Sequence, residues 1–66
     1  MTTAHVLQFF KYDHLPPHLQ EISKPYAELA EKVAATSSND ETVVALRKLL
    51  ESKDAAVRAK LISPKT

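Results

Sequence analysis

The sequence predicts an all-α protomer: an antiparallel helical hairpin with an N-terminal arm or short helix, assembling into a homo-oligomer. Three observations carry that prediction. Two long stretches repeat apolar residues every three or four positions, the period of an amphipathic helix, with a short turn-forming run between them. Glycine is absent, which removes the residue that tight β-hairpin turns and phosphate-cradling loops exploit at positive φ. The chain has 66 residues and no cysteine, so neither a disulfide nor a thiolate metal site staples a core that is small for its surface. Self-association is the means left.

The chain reads as one domain over 1–66. An arm over 1–15 comes first, frayed from Met1 to His5. Val6, Leu7, Phe9, Phe10 and Tyr12 follow, an apolar density that a two-helix protein of this length does not easily hide by itself. The favoured reading is an arm packed on a neighbour. Pro16 and Pro17 then open the first long helix, over about 16–36, because a proline in the first turn lacks only an N–H that would have been unpaired anyway. Leu19, Ile22, Tyr26, Leu29 and Val33, spaced three, four, three, four, form its seam. Pro25 removes one helical hydrogen bond and crowds the preceding turn. A kink is expected there, with a full break at Ser23 as the alternative.

Thr36-Ser37-Ser38-Asn39 loses the period and gains turn residues, so it is the hairpin connection. Ser38 and Glu41 have the capping-box spacing, which starts the second helix near Asn39, and Asp40 and Glu41 suit the positive end of its dipole. This helix should run over about 39–61, ended by Ser63-Pro64, with a tail over 62–66. Val43, Leu46, Leu50, Val57 and Leu61 make one stripe; Ala45, Leu49, Ser52, Ala56 and Ala59 make a second beside it. Together they span roughly 200°, about twice what packing on one partner needs. A second protomer is implied.

Charge narrows the function classes. Nine Lys and Arg against eight Asp and Glu leave a net charge of +1, too balanced for the broad basic field that holds long nucleic acid. No apolar run approaches the length of a membrane span, and the N-terminus lacks a signal-peptide pattern. A cytoplasmic location is expected. His14 and His18 are four apart, but Pro16 and Pro17 between them oppose a regular turn, so no metal is expected. Nor does any pair of residues resemble a nucleophile with its base or a catalytic carboxylate pair. The expectation is a binder or scaffold, not an enzyme, and no cofactor is implied.

Several residues are candidates for ligand binding, each with a plainer role beside it. Lys53 and Lys60 fall inside the apolar arc one heptad apart. Either their stems cover apolar surface while the ammonium groups reach solvent or a carboxylate, or they face an anionic ligand between protomers. Arg47 with Glu51, and Asp54 with Arg58, have the spacing of helix ion pairs on the opposite face; an arginine freed from such a pair grips phosphate well. Tyr12, between Lys11 and Asp13 on an irregular segment, has the character of a stacking platform for a base, or of ordinary interface packing. Lys24, beside Pro25, is a surface lysine or a phosphate contact, and Tyr26 lies on the seam, where packing is its role.

Three stretches taken in order, Phe10-Lys-Tyr-Asp-His-Leu-Pro-Pro, then Lys24-Pro-Tyr-Ala-Glu-Leu, then Val44-Ala-Leu-Arg-Lys-Leu-Leu-Glu-Ser-Lys-Asp-Ala-Ala-Val-Arg-Ala59, resemble small phage proteins of the anti-CBASS and anti-Thoeris hairpin-domain family. The resemblance covers roughly 10–61. It implies a sponge: a helical hairpin assembled into an oligomer, often a hexamer, that sequesters cyclic dinucleotides or cyclic trinucleotides, or in some relatives cyclic ADP-ribose isomers, without cleaving them. By the same resemblance Tyr12 corresponds to the tyrosine that stacks on a nucleobase, Lys24 to the phosphate-contacting lysine, and Arg58 to the arginine of the second helix. The tyrosine-to-lysine interval is shorter here than in that family, and Pro16, Pro17 and Pro25 reshape the helix start. Arg47 and Lys53 join the candidates from charge placement alone. The competing expectation is a protein-interaction module, an antitoxin or scaffold, whose arm and second helix dock a protein and take no small molecule.

Overall fold

A computed structural model describes residues 2–62. Among them the chain is all-helical, with no strand: α1 over Thr3–Leu7, a 3-10 turn over Gln8–Phe10, α2 over Pro17–Thr36 and α3 over Asp40–Leu61. The expected tail and the Ser63-Pro64 stop lie outside the described residues, apart from Ile62, whose N–H still donates to the Arg58 carbonyl at 3.0 Å. No helix among these residues is long and apolar enough to cross a membrane.

The N-terminal segment is helical and docks against α2 and α3 of its own chain. Thr2 caps α1 by accepting from the His5 N–H at 3.1 Å. Val6 and Phe10, one helical turn apart, are then buried to 0% and 3% exposure in a cluster with Ala30 of α2 and Leu46 of α3. The arm expected to lie on a neighbouring protomer therefore covers its own chain instead. Beyond it, Gln20 of α2 ties down the irregular 11–16 segment: its side-chain amide donates to the Leu15 carbonyl at 2.7 Å and to the Asp13 carbonyl at 3.4 Å.

In α2, Pro17 occupies the first turn and the Pro16 carbonyl accepts from both Leu19 and Gln20. The helix runs unbroken through Pro25, so the alternative break at Ser23 does not occur. The physical reason is position: Pro25 is exposed, and on that face water can take the carbonyl that the missing N–H leaves free. The buried face takes in most of the expected seam, with Leu19 buried and Ile22, Tyr26 and Val33 half-buried, and extends past it on one side. Ser23 and Ala30 are buried and Ala27 and Ala34 half-buried, whereas Leu29 is 47% exposed. Placed at about 100° per residue, the small residues lie roughly 60–120° round from the centre of the seam. Two elements, α3 and the N-terminal segment, pack on α2 at once, and small side chains allow both to come close.

Asn39, not Ser38, caps α3: its Oδ1 accepts from the Thr42 N–H at 3.0 Å and from the Thr42 hydroxyl at 3.2 Å. Ser37 closes the connection by a hydroxyl hydrogen bond to Thr42, which is buried. The buried and half-buried residues of α3 run round the helix from Ala56 to Asp54, an arc of about 160°. Both α2 and the N-terminal segment share that arc. Much of the apolar width that pointed to a second protomer is thus covered within one chain. What stays uncovered is the edge and the end: Val44 is 46% exposed, Leu61 63% and Ile62 60%.

Candidate functional site

The docked N-terminal segment has a groove on either side. The first, of about 490 Å³, lies between α1, the 11–16 segment and α2, with Tyr12 half-buried in its wall beside Leu7, Phe10 and Ala27. Its charged lining is Lys11, Asp13 and Glu31. One cation against two carboxylates makes it a poor seat for phosphate.

The second groove, of about 380 Å³, runs between the 3-10 turn, α2 and α3. Lys11, Lys53 and Arg58 line it, with His14 adding an imidazole and Asp54 the single carboxylate. Three cations to one anion give this groove the opposite character. Lys53 and Arg58 reach it because α3 presents residues 53, 54, 57 and 58 on one side over two turns. The Lys53 side chain is only 14% exposed, and its Nζ lies 2.9 Å from Oδ1 of Asp54. Its stem is covered and its ammonium meets a carboxylate, as burial of a lysine requires.

Phe9 stands in this groove with 49% of its surface exposed, its ring edge-on to His5 at 5.5 Å and 77°. Ser23 also lines it. That serine is 1% exposed, and its hydroxyl oxygen has no hydrogen-bond partner. A buried polar atom left unpaired costs stability, so such an atom calls for a reason.

The five candidate residues are divided by the fold. Lys53 and Arg58 come together in the second groove, Tyr12 lines the first, and Lys24 and Arg47 are exposed on α2 and α3 and line neither. The expected pairs Arg47–Glu51 and Asp54–Arg58 are replaced: among the described residues the ion pairs are Lys48–Glu51, at 4.0 Å, and Lys53–Asp54. Asp54 accordingly belongs to the groove and not to the opposite face. Tyr26 packs against the core and its hydroxyl meets Ser52 Oγ at 3.3 Å. Lys60 is exposed on the last turn. All three histidines are exposed, and no three metal-ligating side chains gather among the described residues.

Lys11, His14, Phe9 and Ser23 were not among the ligand-binding candidates of the sequence. The first three sit on or beside an irregular segment, where periodicity carries no information. Ser23 had a signal in the four, three, four spacing of Ser23, Ala27, Ala30 and Ala34, a stripe of small residues that marks where neighbouring helices approach. Comparison with models of known protein families, with curated proteins and with solved structures finds no match to this chain.

Proposed function

We propose that this chain is a phage-encoded anti-immune sponge, an oligomer that binds cyclic dinucleotide or trinucleotide signals without cleaving them and so blocks CBASS-type defence in the cytoplasm of an infected bacterium. The observation that carries this reading is the second groove, where Lys11, Lys53 and Arg58 converge beside the exposed ring of Phe9. Cations that hold phosphates by charge-assisted hydrogen bonds, next to an aromatic face on which a base stacks, are the two elements that nucleotide capture needs. The ordered sequence resemblance points the same way.

In this reading Tyr12 and Lys24, which lie outside that groove, act across a protomer boundary, so that each pocket of a homo-oligomer, a hexamer by the resemblance, is shared. Arg47, exposed on α3, is a further cation for such a boundary. Calorimetric titration with cyclic di- and trinucleotides and cyclic ADP-ribose isomers, with the mass in solution measured alongside, tests the proposal. Tight binding by an oligomer, with the ligand recovered intact after heating, supports it. A folded protein that binds none of the panel refutes it.

A second reading, a protein-interaction module, is favoured by the exposed apolar side chains Leu29, Val44, Leu61 and Ile62. It expects a stable protein partner in a pull-down from infected cells and no small-molecule binding.

A further inference from the structure

We infer that the groove beneath Phe9 is a phosphate seat complete within one protomer, in which Ser23 donates a hydrogen bond to the bound anion and Asp54 is the resident counter-ion that the anion displaces from Lys53. The inference deepens the sponge reading by naming the atoms that take the phosphate. It rests on that reading only for the identity of the natural ligand.

Ser23 is the first support. In the middle of a helix a serine usually settles its hydroxyl on a carbonyl one turn back or in water. Here the oxygen is buried and has neither. Alanine at this position would fill the same space between the helices without an unpaired polar atom, so packing alone does not call for serine. An anion's oxygen in the groove supplies the missing partner, once the side chains covering the hydroxyl part to admit it.

Asp54 is the second. The groove's least exposed cation, Lys53, is held by its sequence neighbour at 2.9 Å, a partner whose own side chain is 47% exposed and therefore loosely committed. A phosphate entering between Lys11, Lys53 and Arg58 is held by three cations, whereas the Asp54 carboxylate pairs with Lys53 alone among the described residues, so even a singly charged phosphodiester can displace it. His14 contributes an N–H at the same wall. Arg58 makes no ion pair with another described residue, so its guanidinium is available for a bidentate grip.

The test is titration of the full chain with inorganic phosphate, pyrophosphate, a linear dinucleotide and a cyclic dinucleotide, for wild type and for Ser23→Ala, Asp54→Asn and Arg58→Gln. Ser23→Ala should weaken pyrophosphate about tenfold, the scale of one hydrogen bond to a charged group, while the melting temperature stays level or rises. Asp54→Asn should tighten the same ligand several-fold, and Arg58→Gln, at an exposed position expected to leave the fold intact, should weaken it about tenfold. A serine that serves packing alone gives a changed melting temperature with unchanged anion affinity, and that result overturns the inference. So does a folded wild type that binds none of the four ligands. Pyrophosphate and the linear dinucleotide binding as well as the cyclic one would keep the seat and remove the sponge. Tight cyclic binding indifferent to Ser23→Ala and Arg58→Gln would do the reverse.

Discussion

The two grooves flanking the N-terminal segment share Lys11 and Gln8 and have similar volumes, yet their chemistry is opposed. One sets the aromatic most suggestive in the sequence, Tyr12, beside Asp13 and Glu31. The other sets Phe9 beside Lys53 and Arg58. The difference comes from α3, which reaches the second groove with two cations of its C-terminal half, Lys53 and Arg58, and does not reach the first. An aromatic next to a lysine in sequence is therefore no guide to the field it sits in; the helix that packs alongside decides it.

The strongest way to break this comparison is to remove what holds both grooves open. Leu46 is fully buried beneath the docked segment, in the cluster with Val6 and Phe10. Leu46→Ala should cost about 2–5 kcal/mol in urea unfolding, a large share of the stability of so small a domain, and abolish anion binding with it. Binding that persists through a loss of that size would mean the ligand does not use the docked segment.

Next in size is the contrast between the grooves themselves. Tyr12→Ala should weaken a cyclic oligonucleotide by about 1–3 kcal/mol, the worth of one stacked base, and Lys24→Ala should weaken it less. Neither should alter pyrophosphate affinity, because neither residue lines the cationic groove. Equal losses for both ligands in Tyr12→Ala would show that the grooves act as one site, and in Lys24→Ala that the phosphate seat extends beyond the cationic groove.

Smaller effects separate stability from the site. Asn39 caps α3 through Thr42 and lines neither groove; Asn39→Ala should lower stability by about 1 kcal/mol with ligand affinity intact. Glu51 meets Lys48 at 4.0 Å with both side chains well exposed, so Glu51→Gln should change stability by less than about 0.5 kcal/mol. Thermal melts with parallel titrations check both.

The two long helices were legible in the sequence because their signals are local. Pro16-Pro17 and Asn39 mark helix starts through groups that act within one turn, and the observed bounds at Pro17, Thr36, Asp40 and Leu61 differ from the expected ones by a residue at most. Periodicity gave apolar width but not what would cover it. Val6 and Phe10 looked like surface for a neighbour because sequence does not tell whether a five-residue helix can fold back onto its own chain. The small-residue face of α2 was missed for a related reason: large side chains dominate a hydrophobic pattern, whereas close packing of three elements favours Ser23, Ala27 and Ala30. At the site, Lys53 was visible as a cation out of place on an apolar arc. Ser23 and His14 gained meaning only once α3 lay beside them.

The most direct measurement is residue-resolved chemical-shift mapping of the isotope-labelled chain during titration with a cyclic dinucleotide. If the cationic groove is the ligand seat, the largest shifts fall on Phe9, Lys11, Ser23, Lys53 and Arg58, with smaller ones at Tyr12 and Lys24. Shifts absent from that set, or confined to exposed apolar positions such as Leu29 and Val44, would contradict it.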